Sequence, residues 1–378
     1  MASKNSPEPG KRDTKAVREA SATKALDGIA GTIYTHLKSA SIPEVQVSSR
    51  NKGNIVWDTK HSVWKYGKEM TTRSAKSLDG AYMLLRTMYL TDFIKQMIGE
   101  NKSSTLREMY YISEGWDLAK FHSQDESDLL AEDLEVMTGS MREDFKLRPE
   151  ENGAAMMGDL RVVETTRNGE KRTMHCADDV GDAGYNIPYN VEPDRLAFKD
   201  VNTDFVVAIE TGGMFARLVE NGFDTKYNCT LVHLKGQPAR STRRLIKRLN
   251  EECAQPVVVF TDGDPWSFRI FASVAYGAIK TAHISEYLAT PTAQFLGVTP
   301  SDIINYDLPT DKLTEQDVDA LKAELDDPRF EDDYWKGEIN LQLEMQKKSE
   351  QQALAKYGLN FVTDTYLPEK LQAMGILK

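Results

Sequence analysis

Two acidic residues one position apart, Asp262 and Asp264, follow the apolar run Val257-Val258-Val259-Phe260. Carboxylates at alternate extended positions point the same way, so one cation can take an oxygen from each. Pro265 comes next. Asp264 then suits the N-cap of a helix whose first residue is Pro265. The unit reads strand, acids, turn, helix, with negative charge at the carboxyl end of a strand, where open α/β sheets bind ligands. Glu210 stands in similar surroundings. Residues 205–209 (FVVAI) read as a buried strand that Glu210 ends, and Thr211-Gly212-Gly213 opens a helix that Asn221-Gly222 stops. If the two strands are neighbours in one parallel sheet, Glu210, Asp262 and Asp264 meet at one edge. Three hard oxygen donors suit Mg²⁺, which keeps waters and binds phosphate oxygens.

A different chemistry is written in residues 105–111, TLREMYY. Thr105 and Glu108 form a capping box that opens a helix, and Arg107 and Tyr111 share a face one turn apart. A tyrosine hydroxyl, with a pKa of about 10, is a poor nucleophile unless its proton is taken or its anion stabilised. A guanidinium one turn away can orient a phosphate or stabilise that charge. Taken alone, a tyrosine pair on a helix more often reads as core packing.

The elements that must position these groups have the length to do so. A chain of 378 residues has room for two or three domains. Its 40% hydrophobic and 28% charged content describe a soluble globular protein, and no apolar run approaches a membrane span. Residues 1–10 are polar, lack an apolar signal core and read as a disordered tail. Cys176, Cys229 and Cys253 are too few and scattered for a disulfide framework or zinc site, which points to a reducing, intracellular setting. The six histidines show no metal-ligand spacing. The net charge of −11 argues against an indiscriminate nucleic-acid coat and leaves room for a local basic surface.

The pattern divides the chain into residues 1–79, 80–190 and 191–378. In the first part, residues 14–38 read as a helix with Leu26, Ile29, Ile33 and Leu37 on one stripe. That stripe needs a partner, from the same chain or another. The second part resembles a winged helix-turn-helix. A helix over 127–137 is broken by Thr138-Gly139, and a second capping box at 140–143 (SMRE) opens a helix carrying Arg142 and Lys146. A hairpin follows, turned at Asn168-Gly169, with Arg167, Lys171 and Arg172 near its tip. From about residue 204 strands and helices alternate, as in a mainly parallel sheet. The helix over 238–252 carries Arg240, Arg244 and Arg248 at i, i+4 and i+8. They form either a solvated face or a phosphate track. A further strand is expected around 282–287.

In this order, the motifs TLREMYY (105–111), ETGGM (210–214), LKGQPAR (234–240), DGDP (262–265), LATP (288–291), EQQAL (350–354) and TYLPE (365–369) resemble the A-subunit family of DNA topoisomerase VI. This type IIB topoisomerase family is related to the meiotic protein that makes double-strand breaks. The resemblance implies a multidomain α/β fold: a CAP-like winged-helix domain followed by a Toprim domain. It assigns Tyr111 as nucleophile, with Tyr110 as the neighbour that varies with Phe and Arg107 as its helper. It assigns Glu210, Asp262 and Asp264 as ligands of Mg²⁺. One departure is visible: Ser267 stands where many relatives have Gly, which touches only the packing at a helix start. The implied substrate is double-stranded DNA. The implied partner is a GHKL-type ATPase B subunit that binds ATP, within an A2B2 heterotetramer built on a homodimer of A, with no membrane attachment. This chain has no Walker-type loop of its own. The stripe around Ile29 and Ile33 is the expected docking face for B. A cytoplasmic, nucleoid-associated setting follows for an archaeal host, and a nuclear one for a eukaryote. Breakage without strand passage, as in the meiotic relative, and a Toprim nuclease are the rival readings.

Overall fold

The computed structural model describes residues 14–149, 154–166 and 168–377. The expected tail of residues 1–10 and Arg167 lie outside the described residues. Contacts divide the chain into two compact units. The first holds the described chain up to Val56, the stretch from Lys65 to residue 149, and Ala282–Ile284; the second holds Trp57–Trp64 and the rest. No described helix is long and apolar enough to cross a membrane.

Helices α1 (Lys15–Lys38), α2 (Leu78–Gly99), α3 (Leu106–Ser113) and α4 (Gln124–Thr138) dominate the first unit. Strands β1 (Glu44–Ser48), β2 (Ile55–Asp58), β3 (Val63–Tyr66) and β4 (Met70–Ser74) lie between α1 and α2. β1 pairs antiparallel with β4, and the short β5 (Ser104–Thr105) pairs parallel with β6 (Leu147–Arg148). Leu26, Leu90, Ile94, Met109, Leu134 and Phe145 form the core. Most of the stripe on α1 is spent on this chain, and its last member, Leu37, is exposed. Leu26 packs in that core, and Ile33 is buried against Val45 and Leu84 with Ile29 beside it. Ile33 is therefore closed to a docking partner and Ile29 is half-buried; the exposed apolar residues near the end of α1 are Tyr34 and Leu37.

The second capping box opens no helix. α4 ends at Gly139, whose φ of 66° suits a residue without a side chain, and residues 142–146 form turns. The cause is tertiary. Glu135 accepts the Arg142 backbone N–H at 2.7 Å and its guanidinium at 3.1 and 3.2 Å, while Met141 and Phe145 are buried.

The second unit starts with β7 (Ala155–Met157), the hairpin β8 (Arg161–Thr165) and β9 (Lys171–His175), β10 (Tyr185–Asn186) and β11 (Leu196–Lys199). The hairpin forms as its Asn-Gly turn predicts, with Thr165 opposite Lys171, in a three-stranded sheet ordered β11-β8-β9. It groups with this unit and not with the helices that precede it. Next come β12 (Phe205–Ile209), α5 (Gly212–Glu220), α6 (Phe223–Tyr227), β13 (Cys229–His233), α7 (Arg240–Cys253), β14 (Val257–Phe260), α8 (Pro265–Ala275), α9 (Ser285–Leu288) and β15 (Gln294–Gly297). A six-stranded sheet runs β10-β7-β13-β12-β14-β15, and its last four strands are parallel. The strand expected around 282–287 is a 3-10 turn leading into α9; the parallel partner of β14 is β15.

Every residue of β12 is buried, and period-two alternation splits it between two layers. Val206 and Ala208 pack with Leu245 and Leu249 of α7 and Phe268 of α8. Phe205, Val207 and Ile209 pack with Met214, Phe215 and Leu218 of α5. Burial of each large side chain contributes about 1.5–3 kcal/mol, so register along β12 is firmly set. That register places Glu210 one residue past the end of the central strand.

Candidate active site

In the second unit, β12 and β14 are hydrogen-bonded neighbours, with Ile209 opposite Phe260. Glu210 and Asp262 therefore emerge together. Glu210 Oε2 accepts the N–H of Asp262 at 3.0 Å and the hydroxyl of Ser267 at 2.8 Å. Asp264 caps α8 as its sequence implies: Oδ1 accepts the N–H of Ser267 at 2.7 Å, with Pro265 at the first helical position. Gln351, distant in sequence, donates its N–H to Asp262 Oδ1 at 2.8 Å. Thr211, the N-cap of α5, donates its hydroxyl to Gln351 Oε1 at 3.0 Å. Gly263, between the two aspartates, is needed for close approach: a Cβ there would sit 3.2 Å from the carbonyls of both Ser349 and Val298.

The electrostatics of this edge favour a cation. Burial pushes the Asp262 carboxyl up to about 7 against the pull of the Gln351 N–H, and the charges of Glu210, Asp264 and Glu350 add to the rise. Burial also raises Glu210, opposed by the Asp262 N–H and the Ser267 hydroxyl and reinforced by Asp264. These carboxylates disfavour one another's charge, and a cation would relieve that conflict. Among the described residues no three His, Cys, Asp or Glu side chains are drawn together as a finished metal cage. The donors fit Mg²⁺ in another way. Each acid uses one oxygen to hold itself in place and leaves Glu210 Oε1, Asp262 Oδ2 and Asp264 Oδ2 without a hydrogen bond from the described residues. Mg²⁺ takes few carboxylate oxygens and keeps waters that substrate phosphates can replace.

In the first unit, the capping box of α3 is complete. Thr105 Oγ1 accepts the Glu108 N–H at 3.0 Å and Glu108 Oε2 accepts the Thr105 N–H at 2.7 Å. The Thr105 N–H is the main influence holding the Glu108 carboxyl below its ordinary range. Met109 and Ser113 face inward, which turns Arg107 and Tyr111 outward. Tyr111 is 59% exposed, so core packing does not explain it. Its ring leans on Tyr110 at a centroid distance of 5.4 Å. Arg107 and Tyr111 line one cleft of about 500 Å³, with Gln124 and Asp128 of α4 on another part of its wall.

The basic candidates fare differently. Arg244 is buried and donates to Glu192 at 3.2 Å and to the Tyr287 carbonyl. Arg248 is buried and donates to Glu252 and to the carbonyls of Val191 and Leu196. Neither belongs to an exposed phosphate track; Arg240, at the start of α7, is half-buried. Arg142 is held by Glu135, and Lys146 by Glu19 at 2.7 Å and Asn101 at 2.9 Å. Lys171 and Arg172 stay exposed on the hairpin.

Comparison with known proteins covers both sites. The family described as "Type IIB DNA topoisomerase" matches residues 82–147, which include Arg107 and Tyr111. "All-beta domain in DNA topoisomerase VI alpha subunit" matches 150–202. The Toprim domain common to Spo11 and the topoisomerase 6 A subunit matches 205–371, with all three acids. Proteins named as the A subunit of type 2 DNA topoisomerase 6 are similar over nearly the whole chain. That of Archaeoglobus fulgidus is 60% identical, covering 94% of this chain and 98% of its own. That of Methanosarcina mazei is 58% identical (95% and 97%), and that of Halobacterium salinarum 56% (97% and 100%). The chain belongs to the topoisomerase VI A-subunit family. Its parallel sheet, with acids after β12 and β14, lies in the Toprim region. The topoisomerase VI pattern alone does not reveal what Ser267 does. As a departure from that pattern it suggests only a packing change, yet it bonds to both Glu210 and Asp264. Gln351 is legible only as part of EQQAL. Gln124 and Asp128 carry no signal, because only the tertiary fold brings α4 beside α3.

Proposed function

We propose that this chain cuts and rejoins double-stranded DNA as the A subunit of an ATP-dependent type IIB topoisomerase. The single observation that carries the chemistry is the pairing of resources in one chain: an exposed tyrosine in a cleft with an arginine, and a desolvated three-acid edge with open oxygens. Tyr111 Oη attacks a backbone phosphorus, the P–O3′ bond breaks, and the tyrosine becomes esterified to the 5′ phosphate. The ester conserves the bond energy, so the 3′ hydroxyl attacks back and releases the tyrosine without another energy source. Arg107 holds and neutralises the phosphate. Glu210, Asp262 and Asp264 would hold Mg²⁺, which when bound supplies charge to stabilise the scissile phosphate and the leaving oxygen.

The CAP-like winged-helix module expected over 80–190 is read in the helices of the first unit, without the helix expected after Gly139 and without the hairpin, which groups with the second unit. A homodimer, with the tyrosine of one subunit serving the acids of the other, makes two composite sites and cuts both strands. A GHKL-type B subunit in an A2B2 assembly supplies ATP binding. Exposed Lys171 is retained as a phosphate contact. A supercoiled plasmid, incubated with the A and B subunits, Mg²⁺ and ATP and quenched with denaturant, tests the reading. Wild type should relax the plasmid and leave protein on 5′ ends, and Tyr111→Phe should bind DNA but leave none. A persistent adduct in Tyr111→Phe would remove Tyr111 from the chemistry. Cleavage without ATP-dependent relaxation would favour the breakage-only rival.

A further inference from the structure

A nucleophilic tyrosine has to lose its proton, and neither Arg107 nor the acid edge of the second unit has been given that task. We propose that Asp128 is the general base that takes the proton from Tyr111 during DNA cleavage, held in place by Gln124. This rests on Tyr111 being the nucleophile.

The argument starts from geometry within the first unit. α3 presents Arg107 and Tyr111 to the cleft, and α4 presents Gln124 and Asp128 to the same cleft. Gln124 and Asp128 are one turn apart, and Gln124 Nε2 donates to Asp128 Oδ1 at 2.8 Å. That bond fixes the carboxylate and leaves Oδ2 with no hydrogen bond from the described residues, free to accept a proton. The bland alternative is a solvated polar pair on a helix. Against it, Asp128 is half-buried and shares its cleft with a tyrosine and an arginine. A carboxylate there also weakens phosphate binding by repulsion, a cost that proton transfer would offset.

The charged surroundings are specific. Burial raises the Asp128 carboxyl. The Gln124 amide and Arg142 oppose that rise, and Glu132 and Asp125 add to it. From α3, Arg107 lines the cleft opposite. A carboxylate with a raised pKa is a better base near neutral pH than an ordinary one.

The step balances. As Tyr111 Oη bonds to phosphorus, its proton passes to Asp128 Oδ2, directly or by way of one water. The P–O3′ electron pair goes to O3′, which takes a proton from solvent. In resealing, the 3′ hydroxyl attacks and gives its proton back to solvent, the P–Oη bond breaks, and protonated Asp128 returns its proton to Oη.

The test uses the full A and B assembly on supercoiled DNA. It measures the rate of 5′-tyrosyl adduct formation across the acid and neutral range, up to pH 9, for wild type, Asp128→Asn, Asp128→Glu and Tyr111→Phe. Asp128→Asn keeps the Gln124 contact and removes the base. It should slow adduct formation by about 10²-fold at neutral pH. Its rate should climb about tenfold per pH unit as hydroxide takes over, with DNA affinity within about twofold of wild type. Asp128→Glu should retain part of the rate with a shifted acid limb. Asp128→Asn cleaving at the wild-type rate with the wild-type pH profile overturns the proposal. So does a loss that tracks weakened DNA binding. If Asp128→Asn unfolds, Asp128→Glu decides, and an unshifted acid limb overturns the assignment. The Tyr111→Phe arm separates the two claims: an adduct there removes the nucleophile and its base together, whereas its absence beside a normal Asp128→Asn removes only the base.

Discussion

The acid edge and the tyrosine cleft solve opposite problems. The acids sit at the end of a fully buried strand pair, and each is tied down by a backbone N–H from elsewhere: Asp262 to Glu210, Ser267 to Asp264, Gln351 to Asp262. Tyr111 sits on an eight-residue helix, exposed, with its neighbour's ring against it. A group that must hold a cation against mutual repulsion needs several elements to fix it. A group that must reach a DNA phosphate and come away again cannot be buried. The difference predicts that damage to the acid edge acts through ligand placement, whereas damage at Tyr111 removes a single atom and leaves the fold alone.

The strongest way to break that contrast is Asp262→Ala. It removes a carboxylate held by the Gln351 N–H and should lower cleavage by about 10²–10³-fold, as loss of one charge-stabilising group does. Raised Mg²⁺ or Mn²⁺ should recover part of the rate in a metal titration of adduct formation. An unchanged metal dependence would remove Asp262 from the site.

Support for the acid edge has its own weak point. Asp317, buried in the helix Glu315–Leu325, accepts the indole N–H of Trp266 at 2.9 Å and the ammonium of Lys348 at 2.8 Å. It thereby pins the first turn of α8, beside Asp264, and the segment leading to Gln351. Burial alone would raise its carboxyl. Lys348, the Thr314 N–H and hydroxyl, and Trp266 together outweigh burial and bring it from 3.8 to about 2. A carboxyl lowered on folding contributes stability that is fully present above its ordinary value and is lost as pH falls toward the folded one. Two pKa units correspond to about 2–3 kcal/mol. Between pH 4 and 2, thermal melts of wild type should therefore lose most of that, about 2 kcal/mol, relative to Asp317→Asn. Parallel acid profiles for the two proteins would show that the clamp contributes nothing.

How far the sequence can be read follows the same contrast. β12 and β14, their acids and the Asp264 cap are legible because strand, turn and cap signals are local and agree with one another. So is the α3 capping box. The arginines of α7 are not. Their spacing gives a cationic face, but acceptors far off in the chain, Glu192 and the carbonyls of Val191, Leu196 and Tyr287, draw that face inward. β15 escapes the pattern because it is four residues long and joins β14 through a register shift at Val259 and Phe260. The segment after Gly139 is held by a related tie: Glu135, on α4, takes both the N–H and the guanidinium of Arg142 in the turn.

Ser267→Ala sharpens the comparison on the acid side. Removing the hydroxyl leaves Glu210 with the Asp262 N–H alone, and both keep their charges. Groups that orient a metal ligand cost about 10–100-fold in metal affinity when lost. With one of two hydrogen bonds remaining, the Mg²⁺ concentration for half-maximal cleavage should rise about tenfold, with little change in the maximal rate. A fall in the maximal rate at saturating Mg²⁺ would mean that Ser267 does more than orient Glu210.

The smallest effect is expected where the chain is least constrained. Lys171 is exposed on the hairpin and, if it meets a phosphate, does so as a point charge in water. Lys171→Ala should weaken DNA binding by only about two- to fivefold at moderate salt. It should also reduce the slope of log affinity against log salt by about one unit. Both readouts come from one fluorescence anisotropy titration repeated at several salt concentrations. The slope is the informative one, because a hairpin that never touches DNA can lose affinity through general charge but cannot lose a discrete counterion-release contact. An unaltered slope would return Lys171 to the solvated surface and leave DNA binding to residues that no local pattern marks.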